Sequence, residues 1–402
     1  NDMKEILIKE YNNLIKNPKK PLIKQNTFKL NFIKGCRFEV LGDNSTKYSV
    51  NFINQDTGDI VYENIITNNM WCKTNVQYFV NYLVKVTDID SGEVVFEHKY
   101  DGEDKKIYIH LASSALGDTL SWVPHLEEFR TTHGCELVVS TFHNEMFETE
   151  YPDIKFVSPG TEIFDLYAMY EIGWHYNEDG EVDYTKIPSN FREMPLSKSA
   201  TDTLGLNYRE IKPKHTFKNT GSTIDGDYIC IAPHASAHAK YWNNVGGWQA
   251  VVDYLNGEGY KVVMITHEPL GDEWHDSKLG GTLNNVIDKT GDFPLSERAN
   301  DLMNAKAFIG LGSGLSWLSW AVGCPTVLIS GFSESYSEFE DCERISSPVD
   351  KCGGCFNTTK LNAGDWEWCP EHKNTSRHFE CTKSIEPQTV IDAINRQLGK
   401  NS

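Results

Sequence analysis

Four cysteines near the C-terminal end stand apart from the other six. Cys352-Gly-Gly-Cys355 is followed after 13 residues by Cys369 and after 11 more by Cys381. Glycines between paired cysteines let backbone amides turn toward sulfur, and four thiolates satisfy a tetrahedral ion. Such a set admits zinc or iron and leaves no open coordination position, which predicts a structural metal finger over 352–381. His372 and His378 lie inside the loop as lesser alternative ligands. Cys36, Cys72, Cys135, Cys230, Cys324 and Cys342 are scattered, mostly in or beside apolar runs, as core thiols are.

Three further stretches carry residues suited to phosphate and proton chemistry. Leu111-Ala-Ser-Ser-Ala-Leu-Gly117-Asp118-Thr119 joins a strand to a helix. Gly117 permits a close backbone approach there, and Asp118 is either a carboxylate aimed at a cleft or a helix N-cap. Ala232-Pro-His-Ala-Ser236-Ala-His238-Ala-Lys240-Tyr-Trp242 is a loop of small residues ending on a lysine. A diphosphate needs that combination of free backbone N–H groups and one mobile point charge. His234 and His238 read as hydrogen-bonding loop residues. Gly310-Leu-Gly312-Ser313-Gly314-Leu315-Ser316-Trp317 again turns from strand to helix, where the helix dipole favours an anion. Either glycine-rich turn alone is weak evidence. The pair in one half of the chain is stronger.

The elements that must position these loops follow from periodicity. Helical spacing of Leu7, Ile8, Tyr11, Leu14 and Ile15 predicts a helix over 5–16. From about 27 to 100 the texture is alternating strands, with an internal repeat. Val50–Glu63 and Val84–Glu97 each read strand, Asp-Thr/Ser-Gly turn, strand, which predicts two hairpins in a small antiparallel sheet or barrel. From Lys105 the pattern becomes β-α-β: strands at 107–111 and 135–139, a helix over 119–133, and another over 197–204. Polar, unpatterned Pro213–Asp227 reads as a linker. A second series follows, with strands at 228–232, 260–265, 307–310 and 325–330. Its helices fall at 247–256, 315–322 and 389–398, and one more is N-capped by Ser296 and runs to about 305. Alternation of this kind means parallel sheets with ligands at the carboxyl ends of the strands. The domains expected are a β-rich one over 1–104, a Rossmann-like one over 105–215, and a second Rossmann-like one over 216–402 that includes the finger.

At 402 residues the chain has room for two or three cores. Lys+Arg 38 against Asp+Glu 57 gives a net charge of -19, which argues against nucleic acid as a partner. Phosphate must then be held locally. The start, Asn1-Asp2-Met3 followed by Lys4, Glu5 and Lys9, carries no apolar secretory segment, and no run has membrane-spanning length. A soluble cytoplasmic protein is the expectation.

These motifs, in this order, resemble the heptosyltransferase family of GT-B glycosyltransferases, and within it the bacterial autotransporter heptosyltransferases. The family's Leu-Gly-Asp loop matches Leu116-Gly117-Asp118, and its donor-phosphate lysine followed by Trp matches Lys240 and Trp242. Its acidic strand-end residue for the donor ribose matches Glu268 loosely, and its Gly-x-x-x-Leu-x-Glu segment matches Gly291–Glu297. The family's Asp-Thr-Gly-Leu-Ser-His turn aligns with 312–317, with Gly312 and Trp317 in place of the Asp and His. The autotransporter branch shares the Gly-Ser-Gly-Leu-Ser-Trp turn, an added N-terminal β-rich domain and a four-cysteine iron finger. The likeness covers residues 105–402 well and 1–104 by domain character.

The resemblance implies a GT-B fold of two Rossmann-like domains facing a cleft. It implies transfer of heptose from ADP-heptose to serine hydroxyls of an adhesin-type passenger, and a large ring-type homo-oligomer. Asp118 would be the general base, with Lys240 and the Ser313, Gly314 and Leu315 amides on the departing diphosphate. Ser236 and Glu268 would complete the donor site, which would need no divalent metal. Cys352, Cys355, Cys369 and Cys381 would hold iron. The competing readings are a transferase acting on lipopolysaccharide or another glycan, and, in another class, a metal-finger electron-transfer or assembly protein without transferase activity.

Overall fold

Both copies of the internal repeat fold as hairpins with the same turn. In the first, Asn54 Oδ1 accepts the Asp56 N–H at 2.9 Å and the Gly58 N–H reaches the Asn54 carbonyl at 2.8 Å. In the second, Asp88 Oδ1 accepts the Asp90 N–H at 2.9 Å and the Gly92 N–H reaches the Asp88 carbonyl at 2.8 Å. Gly58 and Gly92 close these Asx-type turns at φ 78° and 73°, where a Cβ is disfavoured.

The computed structural model describes residues 24–400 together with Met3 and Glu5. Beyond Glu5, the helix expected over 5–16 lies outside the described residues. The chain divides into two compact units between Asp101 and Gly102. In the first, β1 (Thr27–Ile33), β2 (Arg37–Leu41) and β5 (Met70–Lys73) form one antiparallel sheet. The hairpins β3 (Tyr48–Asn54)/β4 (Ile60–Ile66) and β6 (Tyr82–Asp88)/β7 (Val94–Lys99) form another, in the order β4-β3-β6-β7. Period-2 alternation buries Tyr48, Val50 and Phe52 on β3 and Tyr82, Val84 and Val86 on β6. The two layers meet through aromatic edges. Phe28 packs on Tyr48 and Phe96 with centroids 5.4 and 5.8 Å apart, and Phe32 stacks on Tyr82 at 5.8 Å.

The second unit holds two parallel sheets. The first runs β10 (Lys155–Val157), β9 (Glu136–Ser140), β8 (Lys106–Leu111), β11 (Ala168–Ile172). The second runs β14 (Ile287–Asp288), β13 (Lys261–Met264), β12 (Tyr228–Ile231), β15 (Ala307–Leu311), β16 (Thr326–Ile329), β17 (Glu343–Ile345). Strands β12, β15 and β16 are buried along their whole length, as apolar runs covered on both faces must be. Helix α4 (Gly247–Gly257) and the C-terminal α7 (Pro387–Gln397) close one core, pressing Val251, Leu255, Val390 and Ile394 onto the strands.

The expected helix over 119–133 is instead two: α1 (Leu116–Trp122) and α2 (Pro124–His133). Pro124 lacks the N–H that would continue the first helix and sits at the first position of the second, where that loss costs nothing. Helix α3 spans Lys198–Leu204, and α6 spans Gly314–Ala321. Ser296 is not an N-cap, because α5 (Leu295–Asn304) starts one residue earlier with Pro294 in that position. No regular element interrupts 213–227. Among the described residues no helix is long and apolar enough to cross a membrane.

Candidate functional site

Both parallel sheets reverse their winding direction at one place, and the sequence motifs fall at those places. In the first sheet β8 and β11 are neighbours that lead to opposite sides, and in the second β12 and β15 are. A crevice opens outside the strand ends at such a switch point. Asp118 lies beyond β8 and Trp174 beyond β11. Ser236 and Lys240 lie beyond β12, and Ser313–Leu315 beyond β15. Asp118, Ser236, Lys240, Ser313 and Gly314 line one cavity of about 320 Å³, together with Trp174, Trp317 and Glu338.

The carboxylate at 118 does not cap its helix. The capping position is Ala115, without a side-chain bond, and Asp118 sits inside the first turn, 8% exposed. Its Oδ2 accepts the Ser113 hydroxyl at 2.5 Å and the Trp174 indole N–H at 2.9 Å. Burial raises its pKa, while those two donors and the charge of Lys240 pull it down. Gly117 is required by closeness, since a Cβ there would lie 2.6 Å from Cδ1 of Trp317. Trp317 itself is wedged against Trp320 and Phe339 with centroids 5.4 and 4.9 Å away.

Lys240 makes no ion pair within 4 Å among the described residues. Desolvation lowers its pKa, opposed by the charges of Glu338 and Asp118. The ammonium therefore faces acids from both halves of the cavity without being bonded to either. Glu338 occupies the space in front of Gly312, where a Cβ would lie 2.9 Å from its Oε1. It accepts the Ser333 hydroxyl at 2.8 Å and pairs with Arg344.

Ser236, Ser313 and Gly314 also border a second cavity of about 440 Å³ that contains Glu268, Leu315, His234 and Arg298. The Ser313 N–H is committed to the Leu311 carbonyl at 2.7 Å, whereas the amides of Gly314 and Leu315, in the first turn of α6, have no intrahelical partner. His234 is buried behind this cavity, its Nδ1 3.1 Å from Thr266 Oγ1, and burial lowers its pKa. His238 points the other way, with Nδ1 3.0 Å from Glu367 and the ring stacked on Trp366 at 5.7 Å.

In the finger, Cys369 and Cys381 belong to the buried interior, and Cys369 packs in a cluster with Ala239, Phe332, Trp368 and Phe379. Burial pushes the Cys352 and Cys355 thiols up to about 11 and Cys381 to about 12, and the other three finger sulfurs add to the shift at Cys381. Mutual repulsion of this kind is what a bound cation reverses, so the donor set fits a thiolate-held metal. Ligand atoms of Cys352, His372 and Glu380 lie within 4.8 Å of one another, which brings His372 into the same neighbourhood. Cys352 is the one finger cysteine in that grouping.

Two polar cavity residues, Trp174 and Glu338, lie outside the motifs. Trp174 lies two residues past β11 and Glu338 in the segment after β16. Their common signal is position beyond a parallel strand's carboxyl end, which the sequence shows only once the strands are ordered.

Residues 184–336 match the family model for glycosyltransferase family 9 (heptosyltransferase). The chain is 36% identical over 358 residues to the autotransporter heptosyltransferase BAHTCr of Citrobacter rodentium, covering 87% of this chain and 85% of that protein. It is 34% identical to TibC of Escherichia coli O78:H11 over the same fractions. The crystal structure of TibC, described as an iron-containing dodecameric glycosyltransferase, superposes with a TM-score of 0.82 at 31% identity, covering 92% of this chain and 95% of that one. A further TibC structure is a complex with ADP-D-beta-D-heptose. BimC of Burkholderia thailandensis, named an inactive autotransporter heptosyltransferase, is 30% identical over 79% of this chain and 74% of its own length. With this identity and coverage across the mixed α/β unit and beyond it, the chain belongs to the autotransporter heptosyltransferases.

Proposed function

We propose that the chain transfers heptose from ADP-heptose to serine hydroxyls of an autotransporter passenger. The observation that carries this reading is the opposition of Asp118 and Lys240 across one cavity that shares Ser236, Ser313 and Gly314 with a second. ADP would fill the second cavity, its ribose toward Glu268 and its diphosphate on Lys240 and the α6 amides. The heptose would then lie in the first. Asp118 accepts the serine proton as the oxygen attacks the anomeric carbon, and the bond from that carbon to the diphosphate breaks. The negative charge left on ADP falls on Lys240 and on the positive end of α6, so the charge is answered without a divalent ion. In this reading the chain is a cytoplasmic GT-B enzyme with boundaries near 104 and 215.

The finger in this reading holds iron through Cys352, Cys355, Cys369 and Cys381. A metal closed in by four sulfurs supplies folding energy to the loop. TibC is named iron-containing and dodecameric, which supports iron and ring-type self-assembly here.

Calorimetry of ADP on Lys240→Ala tests the donor assignment. A salt-bridged phosphate contact is worth roughly 1.5–3 kcal/mol, so ADP affinity should fall on the order of tenfold to a hundredfold. ADP binding at wild-type affinity removes Lys240 from the site.

A further inference from the structure

Of the two carboxylate oxygens of Asp118, the protein holds one. Oδ2 takes both hydrogen bonds, from Ser113 and from Trp174, while Oδ1 accepts none among the described residues. Both bonds have a fixed sense. An indole N–H donates and cannot accept. The Ser113 hydroxyl oxygen already accepts the Ala115 N–H at 3.2 Å, which leaves its proton for Asp118. Two donors on one oxygen stabilise the ionised carboxylate and leave the other oxygen of this cavity-lining residue without a protein donor among the described residues.

We infer that Trp174 is a positioning residue that selects Oδ1 of Asp118 as the proton-accepting atom, and that the helical turn beginning at Cys355 in the finger holds Trp174 in place. This rests on the reading of Asp118 as the base. The Trp174 ring is gripped edge-on from two directions, by Phe191 with centroids 5.3 Å away and by Phe356 at 5.8 Å. The two grips are tied together, because Asn357 Nδ2 donates to the carbonyl of Arg192, next to Phe191, at 2.6 Å. Phe356 is anchored in turn, its N–H on the Phe332 carbonyl at 3.1 Å and its ring 5.4 Å from that of Phe332 in the finger interior. A continuous set of contacts thus runs from the finger through one indole to the carboxylate.

The charged groups facing Asp118 are Lys240 and, beyond it, Glu338. Burial already raises the carboxyl pKa, and the indole N–H lowers it. Trp174→Phe keeps the apolar ring and deletes the donor, so the carboxyl pKa rises and Asp118 ionises at higher pH. With ADP-heptose and an autotransporter passenger as substrates, the acid limb of the kcat profile should move upward. On that limb kcat should fall on the order of tenfold, with recovery to within about twofold at alkaline pH and KM for ADP-heptose unchanged. Ser113→Ala, which removes the other donor to the same oxygen, should move the limb in the same direction. Phe356→Leu should do so more weakly, at unchanged metal content.

A limb that stays in place in both Trp174→Phe and Phe356→Leu overturns the inference, as does a loss of rate equal at every pH. Asp118→Asn separates the two claims. Near-normal transfer by that variant means the base assignment itself has failed. An inactive Asp118→Asn beside an unmoved Trp174→Phe profile means only the positioning role has.

Discussion

Glycine is used in two ways in this chain, and the hairpin sheet and the cleft show the contrast. Gly58 and Gly92 have positive φ and open space where a side chain would go. Gly117 and Gly312 need no unusual backbone, but a Cβ would meet the indole of Trp317 or the carboxylate of Glu338 within 3 Å. The first pair answers a local demand of the turn, and the second a demand made by residues some 200 or 26 positions away. A hairpin is therefore specified by the few residues that form it. The cleft is specified by agreement between loops that the chain brings together only when two sheets have formed.

The largest expected effect tests whether the finger belongs with the non-local kind. Cys352→Ser or Cys381→Ser should lose essentially all bound metal by elemental analysis, because a four-thiolate site folds with its ion. Cys135→Ser, at a buried position just before β9, should leave metal content untouched. Metal lost from Cys352→Ser but retained by Cys381→Ser would point instead to the set of Cys352, His372 and Glu380, and metal retained by both would place the site elsewhere. The next effect is at the contact of the two loops. Gly117→Ala should cost about 1–3 kcal/mol by overpacking against a Trp317 that has nowhere to move, and transfer should fall with it. A wild-type melting temperature with full activity would show that the loops are looser than this packing implies. The smallest effect is in the hairpin. Gly58→Ala should cost about 1–2 kcal/mol for a left-handed alanine, read as a lower melting temperature, with kcat within about twofold of wild type. A loss of transfer there would break the contrast, since it would couple the turn to the cleft.

Much of the second unit was legible in the sequence because its strands are short, apolar and bounded by polar or small-residue loops. Strands β8, β9, β12, β13, β15 and β16 lie within a residue or two of where periodicity sets them. The hairpin repeat was legible for a simpler reason: the same Asx turn is written twice. The helix over 119–133 breaks at Pro124, whose missing N–H outweighs the apolar pattern on either side. Ser296 looked like a cap but falls inside a helix begun by Pro294 and Leu295. In the cleft, Asp118, Lys240 and Ser236 announce themselves as loop residues of the right chemistry. Trp174 and Glu338 do not, since one reads as an ordinary aromatic and the other as a surface acid. Only strand order brings them to the cavity.

We propose that Asp118 and Lys240 face one another across a heptose-transfer site. The intact mass of an autotransporter passenger, co-expressed with this chain in cells that make ADP-heptose, tests that opposition. With the wild-type chain the passenger should gain whole heptose units on serine residues, and with Asp118→Asn the gain should fall on the order of a hundredfold or more. A passenger of unmodified mass beside the wild-type chain, or one modified equally by the Asp118→Asn variant, would contradict it.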